Sequence, residues 1–167
     1  QMSYSRLLAA QLRLRLTDAS CGGAFTAHVL APWNELPAQI DAVTSDTRLV
    51  TITIGGNDLN YMGVLFAASC HAGTMTGPLA ERMRDPATGQ CRPLPVPDSA
   101  AYQVVEDSLA AILISIRERA PQARVVLVQY LALVPAIDCP AAPLESSHAT
   151  AARDLAAGLA RASQRAA

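Results

Sequence analysis

A buried strand that ends at two glycines is the feature that most constrains this chain. Residues 49–54 read Leu-Val-Thr-Ile-Thr-Ile, β-branched at most positions, and Gly55 and Gly56 follow directly. Asn57 and Asp58 come next, at the start of an apolar segment that predicts a helix. A strand, a tight turn and a helix in this order place polar groups at the carboxyl edge of a parallel sheet, where α/β proteins bind ligands. We therefore look for function at this edge.

Apolar periodicity predicts that helices and strands alternate along the chain. Helical spacing is found in residues 3–12, 35–43, 59–69, 101–119 and from 146 onward. Strand patterns are found in residues 13–19, 49–54 and 124–130. Three such alternations predict a three-layer α/β/α sandwich with a parallel sheet. The predicted helix caps are Ser3, Asp58 and either Ser146 or Ser147.

The length of 167 residues predicts a single domain over residues 1–167. Residues 70–97 are rich in Gly, Pro and Thr and predict a loop insertion, with one or two helical turns at 79–84; residues 131–144 predict a Pro-rich loop. The composition is 51% hydrophobic and 16% charged, which is typical of a globular protein.

Charge and hydropathy exclude several function classes. A net charge of -1 without a run of basic residues does not predict the positively charged surface that binds nucleic acid. No apolar run reaches the roughly 20 residues of a transmembrane segment, and the first residues do not resemble a signal peptide. The sequence does not predict an oligomeric state.

Four stretches of the sequence form an ordered set of motifs: residues 3–8, residues 20–24, residues 55–58 and the pair Gln129-Tyr130. Together they resemble the SGNH (GDSL-like) hydrolases, in the branch of secreted actinobacterial lipases and esterases. Gly55-Gly56-Asn57-Asp58 is similar to the third block of that family, Gly-x-Asn-Asp, and residues 20–24, Ser-Cys-Gly-Gly-Ala, resemble its second block. Residues 3–8 and the pair Gln129-Tyr130, followed by a loop with Pro135, resemble the corresponding helix and fourth-strand region. The resemblance implies a flavodoxin-like α/β fold and a serine esterase or lipase.

The resemblance also implies roles for two residues. Ester hydrolysis by a serine passes through a tetrahedral oxyanion, and each fixed donor at that charge contributes about 3 kcal/mol. The backbone N–H of the second-block glycine corresponds to Gly23, and the amide of the third-block asparagine corresponds to Asn57. Both would form the oxyanion hole, within a site loop that includes Gly55, Gly56 and Asp58. An acyl-enzyme route of this kind needs no metal and no cofactor, and the substrate is expected to be a small-molecule or lipid ester.

The family's other two blocks have no matching positions here. Its Gly-Asp-Ser block precedes the first helix and its Asp-x-x-His block follows the last one. We therefore predict a central fragment, incomplete at both ends, which supplies the oxyanion half of the site and is inactive alone. The alternative is a non-catalytic binding or interaction module that keeps the pocket without the triad. A carbohydrate acetylesterase is a further possibility within the hydrolases.

Other polar residues are interpreted as structural. Ser20 lies in a turn without the Gly-x-Ser-x-Gly elbow of a nucleophile. His28, His71 and His148 are interpreted as isolated from any matching acid, and His148 lacks an Asp three residues before it. Asp58 is interpreted as a helix cap and loop brace.

Four cysteines, Cys21, Cys70, Cys91 and Cys139, allow three internal pairings or four reduced thiols. None has Cys-x-x-Cys spacing, so we expect no zinc site. Cys70 and Cys91 flank the predicted insertion, and we predict that they form a disulfide that closes it. A disulfide favours an oxidising compartment, so the protein is expected to be secreted or extracytoplasmic. In the resembling esterases the second-block cysteine pairs with one near the Gly-Asp-Ser block, which implies that Cys21 has no partner here; Cys139 is likewise expected to point to C-terminal sequence outside this chain.

Overall fold

The structure is a computed structural model that describes residues 3–94, 96–137, 139–140 and 143–167. Residue 95 of the predicted insertion and residues 138, 141 and 142 of the predicted loop lie outside the described residues. The helices are α1 (Tyr4–Leu12), α2 (Ala27–Leu30), α3 (Tyr61–His71), α4 (Pro78–Arg82), α5 (Ser99–Arg119) and α6 (Ser146–Ala166). The strands are β1 (Leu49–Ile52) and β2 (Arg124–Leu127), and a 3₁₀ helix spans Gln39–Ala42.

The fold is α/β, as predicted, with a parallel sheet that contains two strands among the described residues. Leu49 pairs with Arg124 and Ile52 with Leu127, in parallel register. The pairing continues for one step beyond the strands, because Val128 N donates to Ile52 O at 2.7 Å. Parallel neighbours require a long crossover. Here the crossover contains α3, α4 and α5.

The core lies where α5 and α6 pack together beneath the sheet. Helix α5 buries a stripe at helical spacing that consists of Val105, Leu109, Ile112, Leu113 and Ile116. On α6, Leu155 and Leu159 are each 1% exposed. A Cβ on Gly158 would lie 2.5 Å from Tyr102 Cε1, so glycine permits the close approach of the two helices. The ion pair between Arg165 Nε and Glu106 Oε2, at 2.7 Å, joins their outer faces.

Helix α5 has the length and composition of a membrane span, but its contacts are those of a core helix. Its buried stripe packs in one cluster with residues of α3 and α6. Asp98 caps its first turn by accepting a hydrogen bond from Ala101 N at 2.9 Å. Arg117 and Arg119 lie in its last turn, where cations interact favourably with the helix dipole.

Two predicted elements are wrong. Residues 13–19, all of them described, form no strand: Leu14 and Leu16 are 43% and 40% exposed, and the segment makes no ladder with β1. Alternation alone cannot hold a strand that has no neighbour to pair with. Residues 35–43 do not form the predicted α-helix. Trp33 and Leu36 instead exchange backbone hydrogen bonds at 3.0 Å in a tight turn, and only the 3₁₀ helix follows it.

The helix caps are partly as predicted. Ser3 caps α1, because its Oγ accepts from Arg6 N at 3.4 Å. The cap of α6 is Glu145 rather than either serine, and that of α3 is Asn60 rather than Asp58; neither makes a side-chain cap hydrogen bond. The strands are also shorter than predicted, ending at Ile52 and Leu127.

A disulfide joins Cys70, in the last turn of α3, to Cys91. The segment between them contains α4 and an antiparallel bridge between Arg84 and Cys91. His71 Nε2 lies 3.0 Å from Arg92 O, a second contact between the ends of this loop. Cys21 and Cys139 are free thiols within the described part of the chain.

Reducing this disulfide is expected to lower the free energy of unfolding by about 2–3 kcal/mol, because the unfolded chain regains loop-closure entropy. Urea unfolding with and without reductant measures the difference. The variant C21S leaves the bond intact and should unfold as the parent chain does. An equal midpoint for reduced and oxidised protein would contradict the expectation.

Candidate active site

The turn after β1 is built on two glycines that no other residue replaces without strain. Gly55 has φ +99°, the left-handed region, and a Cβ there would lie 3.0 Å from Val105 Cγ1 and 3.1 Å from Leu159 Cδ1. Gly56 is covered by the ring of Tyr130, whose Cζ would lie 2.6 Å from a Cβ. The turn is therefore pressed between the core helices and the segment that follows β2.

Tyr130 fastens this turn through a hydrogen bond. Gly56 N donates to Tyr130 Oη at 3.2 Å, and the Tyr130 ring meets the edge of Tyr61 at 5.7 Å. Burial raises the pKa of the Tyr130 hydroxyl above its ordinary value, and the nearby Asp58 carboxylate acts in the same direction, against the Gly56 hydrogen bond. The hydroxyl therefore remains neutral at physiological pH.

The variant G56A is expected to lower the free energy of unfolding by about 1–3 kcal/mol, since its methyl group displaces the Tyr130 ring from the Gly56 N–H. Thermal or urea unfolding measures the loss. In the matched variant G22A, no atom of the described residues lies within 4 Å of the new Cβ, so its stability should stay within about 0.5 kcal/mol of the parent. Equal stability of the two variants would contradict this account of the turn.

Asn57 and Asp58 leave the turn and bind the segment that carries Gly23. Asn57 Nδ2 donates to Ala24 O at 2.8 Å, across 33 positions of the chain. Asp58 accepts from Thr26 N at 3.1 and 3.2 Å and from Thr26 Oγ1 at 2.5 Å. The two predicted sequence blocks thus meet in the structure. Asp58 therefore braces the loop through its contact with Thr26, and it does not cap α3.

Gly23 lies in an exposed turn with φ +90°, a conformation that favours glycine. Asn57 is half-buried, and its amide nitrogen carries two hydrogens. One is used on Ala24 O; among the described residues, the other has no acceptor. The Asn57 amide, a neutral donor, is therefore bonded to the residue that follows Gly23.

An aromatic cluster that the sequence patterns did not predict lies beside Gly23. A Cβ on Gly23 would lie 3.3 Å from Trp33 Cη2, so the indole lies against the glycine. The His28 ring stacks on Trp33 at 4.4 Å and meets the edge of Phe25 at 5.6 Å. Phe25 N donates to His28 Nδ1 at 3.0 Å, which holds the imidazole ring in place. The signal in the sequence is the single tryptophan ten residues after Gly23.

The remaining candidates, Ser20 and His148, make contacts with acidic side chains near them in sequence. Ser20 donates through Oγ to Asp18 Oδ1 at 2.5 Å, a local turn contact that holds the pKa of that carboxyl below its usual value. The interpretation of His148 as isolated from any matching acid stays a prediction: its Nδ1 lies 3.6 Å from Glu145 Oε2, without a hydrogen bond among the described residues. Its ring centroid is 4.8 Å from that of His71 at the disulfide end of α3.

Comparison with known proteins finds similar proteins in Streptomyces. Lipase 2 of Streptomyces coelicolor is 33% identical over 135 residues, which are 80% of this chain and 44% of that protein. The extracellular lipase of Streptomyces rimosus shares the fold, with a TM-score of 0.71, 24% identity, and coverage of 98% of this chain and 62% of that one. Phospholipase A1 of Streptomyces albidoflavus has a TM-score of 0.69 at 25% identity, over 98% and 61% of the two chains.

The chain therefore spans less than two thirds of the length of each of these relatives. The model of the GDSL-like lipase/acylhydrolase family matches residues 1–167, as the resemblance of the Gly-x-Asn-Asp block predicted. This chain belongs to the GDSL-like lipase/acylhydrolase family.

Proposed function

We propose that the chain forms the oxyanion-hole half of a secreted serine esterase or lipase of the SGNH type. The observation that carries the proposal is the hydrogen bond from Asn57 Nδ2 to Ala24 O, which keeps the Asn57 amide beside Gly23. In this function the Gly23 backbone N–H and the second Asn57 N–H both donate to the oxygen of the tetrahedral intermediate. Fixed neutral donors of this kind lower the barrier because they need no reorganisation as charge develops.

The hydrolysis proceeds through an acyl-enzyme. A serine hydroxyl attacks the ester carbonyl, a histidine takes its proton, and the alcohol leaves; water then releases the acid. The serine and its base match no position in residues 1–167, so we propose that they belong to the full-length protein and that this chain alone does not turn over. The single domain over residues 1–167, with its insertion at 70–97, is part of the same proposal.

Two properties support an extracytoplasmic ester hydrolase. The disulfide between Cys70 and Cys91 is of the kind that persists in an oxidising compartment. The relatives are named as lipases and a phospholipase, and one is described as extracellular. We therefore propose a small-molecule or lipid carboxylic ester as substrate, outside the cytoplasm.

The test compares the full-length protein with this chain. Each is treated with a fluorophosphonate probe, which labels activated serines, and with a short p-nitrophenyl ester. We expect labelling of one serine and turnover only in the full-length protein. A folded full-length protein with neither would overturn the esterase proposal in favour of a binding module. Labelling of a serine within residues 1–167 would show that this chain contains the nucleophile.

A further inference from the structure

Gly56 is held at both of its backbone polar groups. Its N–H donates to Tyr130 Oη at 3.2 Å, and its carbonyl oxygen accepts from Tyr61 N at 2.8 Å. Two glycines in succession, Gly55 and Gly56, would otherwise give this part of the chain the greatest freedom that a backbone can have. The two hydrogen bonds remove that freedom directly before Asn57.

The backbone around Tyr130 is fixed on both sides of the residue. Two positions before it, Val128 N donates to Ile52 O at 2.7 Å, which ties the segment to the end of β1. One position after it, Leu131 O accepts from the Tyr61 hydroxyl at 2.9 Å, which ties the segment to the first residue of α3. The Tyr130 side chain therefore extends from a fixed backbone, and its hydroxyl has a defined position.

The Tyr130 ring also fills the space that a side chain at position 56 would need. Its Cζ and Cε1 atoms would lie 2.6 and 2.8 Å from a Cβ on Gly56. Carbon atoms in ordinary contact are about 3.5–4.0 Å apart, so no larger residue fits beneath the ring. Only glycine accommodates the ring, and the ring supplies the rigidity that glycine lacks.

The Tyr130 hydroxyl is an acceptor that carries no charge. Burial raises the pKa of this hydroxyl above its ordinary value, which keeps the group neutral. Asp58 already places one carboxylate beside this turn, where Thr26 donates to it through N and Oγ1. A second carboxylate, at position 130, would accept from Gly56 N more strongly, but it would oppose the negative charge that develops at an oxyanion hole. A phenol fixes the turn without adding that charge.

We propose that Tyr130 is a positioning residue of the oxyanion hole. It accepts from Gly56 N and covers Gly56, and in this way it keeps the Asn57 amide beside Gly23. The inference rests on the proposed function, in which Asn57 and Gly23 donate to the oxygen of the tetrahedral intermediate. Tyr130 acts through Asn57 rather than on the substrate. A misplacement of about 1 Å in such a group can lower a rate by about 100-fold.

The test uses the full-length protein and a short p-nitrophenyl ester. Y130F keeps the ring over Gly56 and removes only the acceptor. We expect its kcat to fall about three- to tenfold with KM nearly unchanged, the range that loss of one neutral hydrogen bond corresponds to. Y130A removes the ring as well and should lower kcat further, up to the loss of about 100- to 1000-fold that follows removal of an oxyanion donor.

A double-mutant cycle with N57A distinguishes positioning from a structural role. If Tyr130 acts through Asn57, adding Y130F to N57A should change kcat by less than about twofold, because the group that it positions is gone. The rate of labelling by the fluorophosphonate probe should follow kcat in each variant, since the phosphoryl oxygen occupies the same oxyanion hole.

The matched control is Y102F. The ring of Tyr102 covers Gly158 as that of Tyr130 covers Gly56, and its Cζ would lie 2.7 Å from a Cβ on Gly158. This contact joins α5 to α6 and does not involve the turn after β1. Y102F removes the same atom as Y130F and should leave kcat within about twofold of the parent, because it positions no reacting group.

Three results would overturn the inference: a kcat for Y130F equal to that of the parent, an equal loss of kcat in Y102F, or losses by Y130F and N57A that multiply in the double variant. A lower unfolding midpoint for Y130F with unchanged kcat would make Tyr130 a structural residue only. In each of these cases the parent still labels and turns over, so the esterase proposal stands. A full-length parent that does neither refutes the esterase proposal and this inference together.

Discussion

Replacing Asn57 with alanine is expected to lower kcat for a short p-nitrophenyl ester by about 100- to 1000-fold in the full-length protein, with KM nearly unchanged. The Asn57 amide would donate to the oxygen only as negative charge develops on it, so its loss affects the transition state more than bound substrate. The split between kcat and KM therefore separates an oxyanion donor from a residue that merely binds substrate.

The control is N60G, in the same loop. Asn60 has φ 52°, which glycine adopts readily, and its side chain makes no cap hydrogen bond to α3. This variant should keep kcat within about threefold of the parent. N57A also removes the bond to Ala24, so Trp33 emission should be compared in the two variants to check that the Gly23 segment keeps its place. A kcat for N57A close to that of N60G would refute the assigned role.

Replacing Asp58 with alanine is expected to lower the free energy of unfolding by about 4 kcal/mol. Thr26 is 4% exposed, and both its backbone N–H and its hydroxyl donate to the Asp58 carboxylate. Removing that acceptor leaves two buried donors without a partner, at about 1–3 kcal/mol each. Urea unfolding of the purified chain measures the change.

The variant D58N keeps one carbonyl oxygen and should lose about half as much stability. T26V removes the hydroxyl but not the backbone N–H, so a double-mutant cycle of T26V with D58A should give a coupling of about 1–3 kcal/mol. Additive effects in that cycle, or a D58A variant within about 0.5 kcal/mol of the parent, would show that the contact does not hold the two segments together.

Sequence patterns predicted the elements that bury apolar surface locally. The α5 stripe and the β1 strand are recognised because their apolar spacing matches helical and strand geometry directly. Residues 13–19 show a strand pattern as well, but a strand forms only where a neighbour pairs with it. The cap assigned to Asp58 failed for a related reason: its carboxylate bonds to Thr26 instead, a contact between distant parts of the chain.

The candidate site also contains some residues that the sequence predicts and others that it does not. Gly23 and Asn57 could be named from their sequence blocks, because an oxyanion hole requires particular residue types and these occur at a fixed spacing. The contacts of Trp33 and Tyr130 could not be predicted, since each packs against a glycine far from it in sequence or across a turn. The sequence shows that a glycine is present but not that an aromatic ring packs against it. Only the folded structure shows which ring is in contact.

The bonds that join residues 57 and 58 to residues 24 and 26 also have a kinetic consequence. They close a loop of more than thirty residues, and that closure entropy must be lost before either bond contributes stability. The segments that carry Gly23 and Asn57 should therefore come together late in folding, after α2 and β1 have formed. In the native protein, exchange of the Thr26 amide hydrogen with solvent would then report how often the whole segment between them opens. Assembly of the site is in this sense a cooperative event of folding rather than a local property of either block.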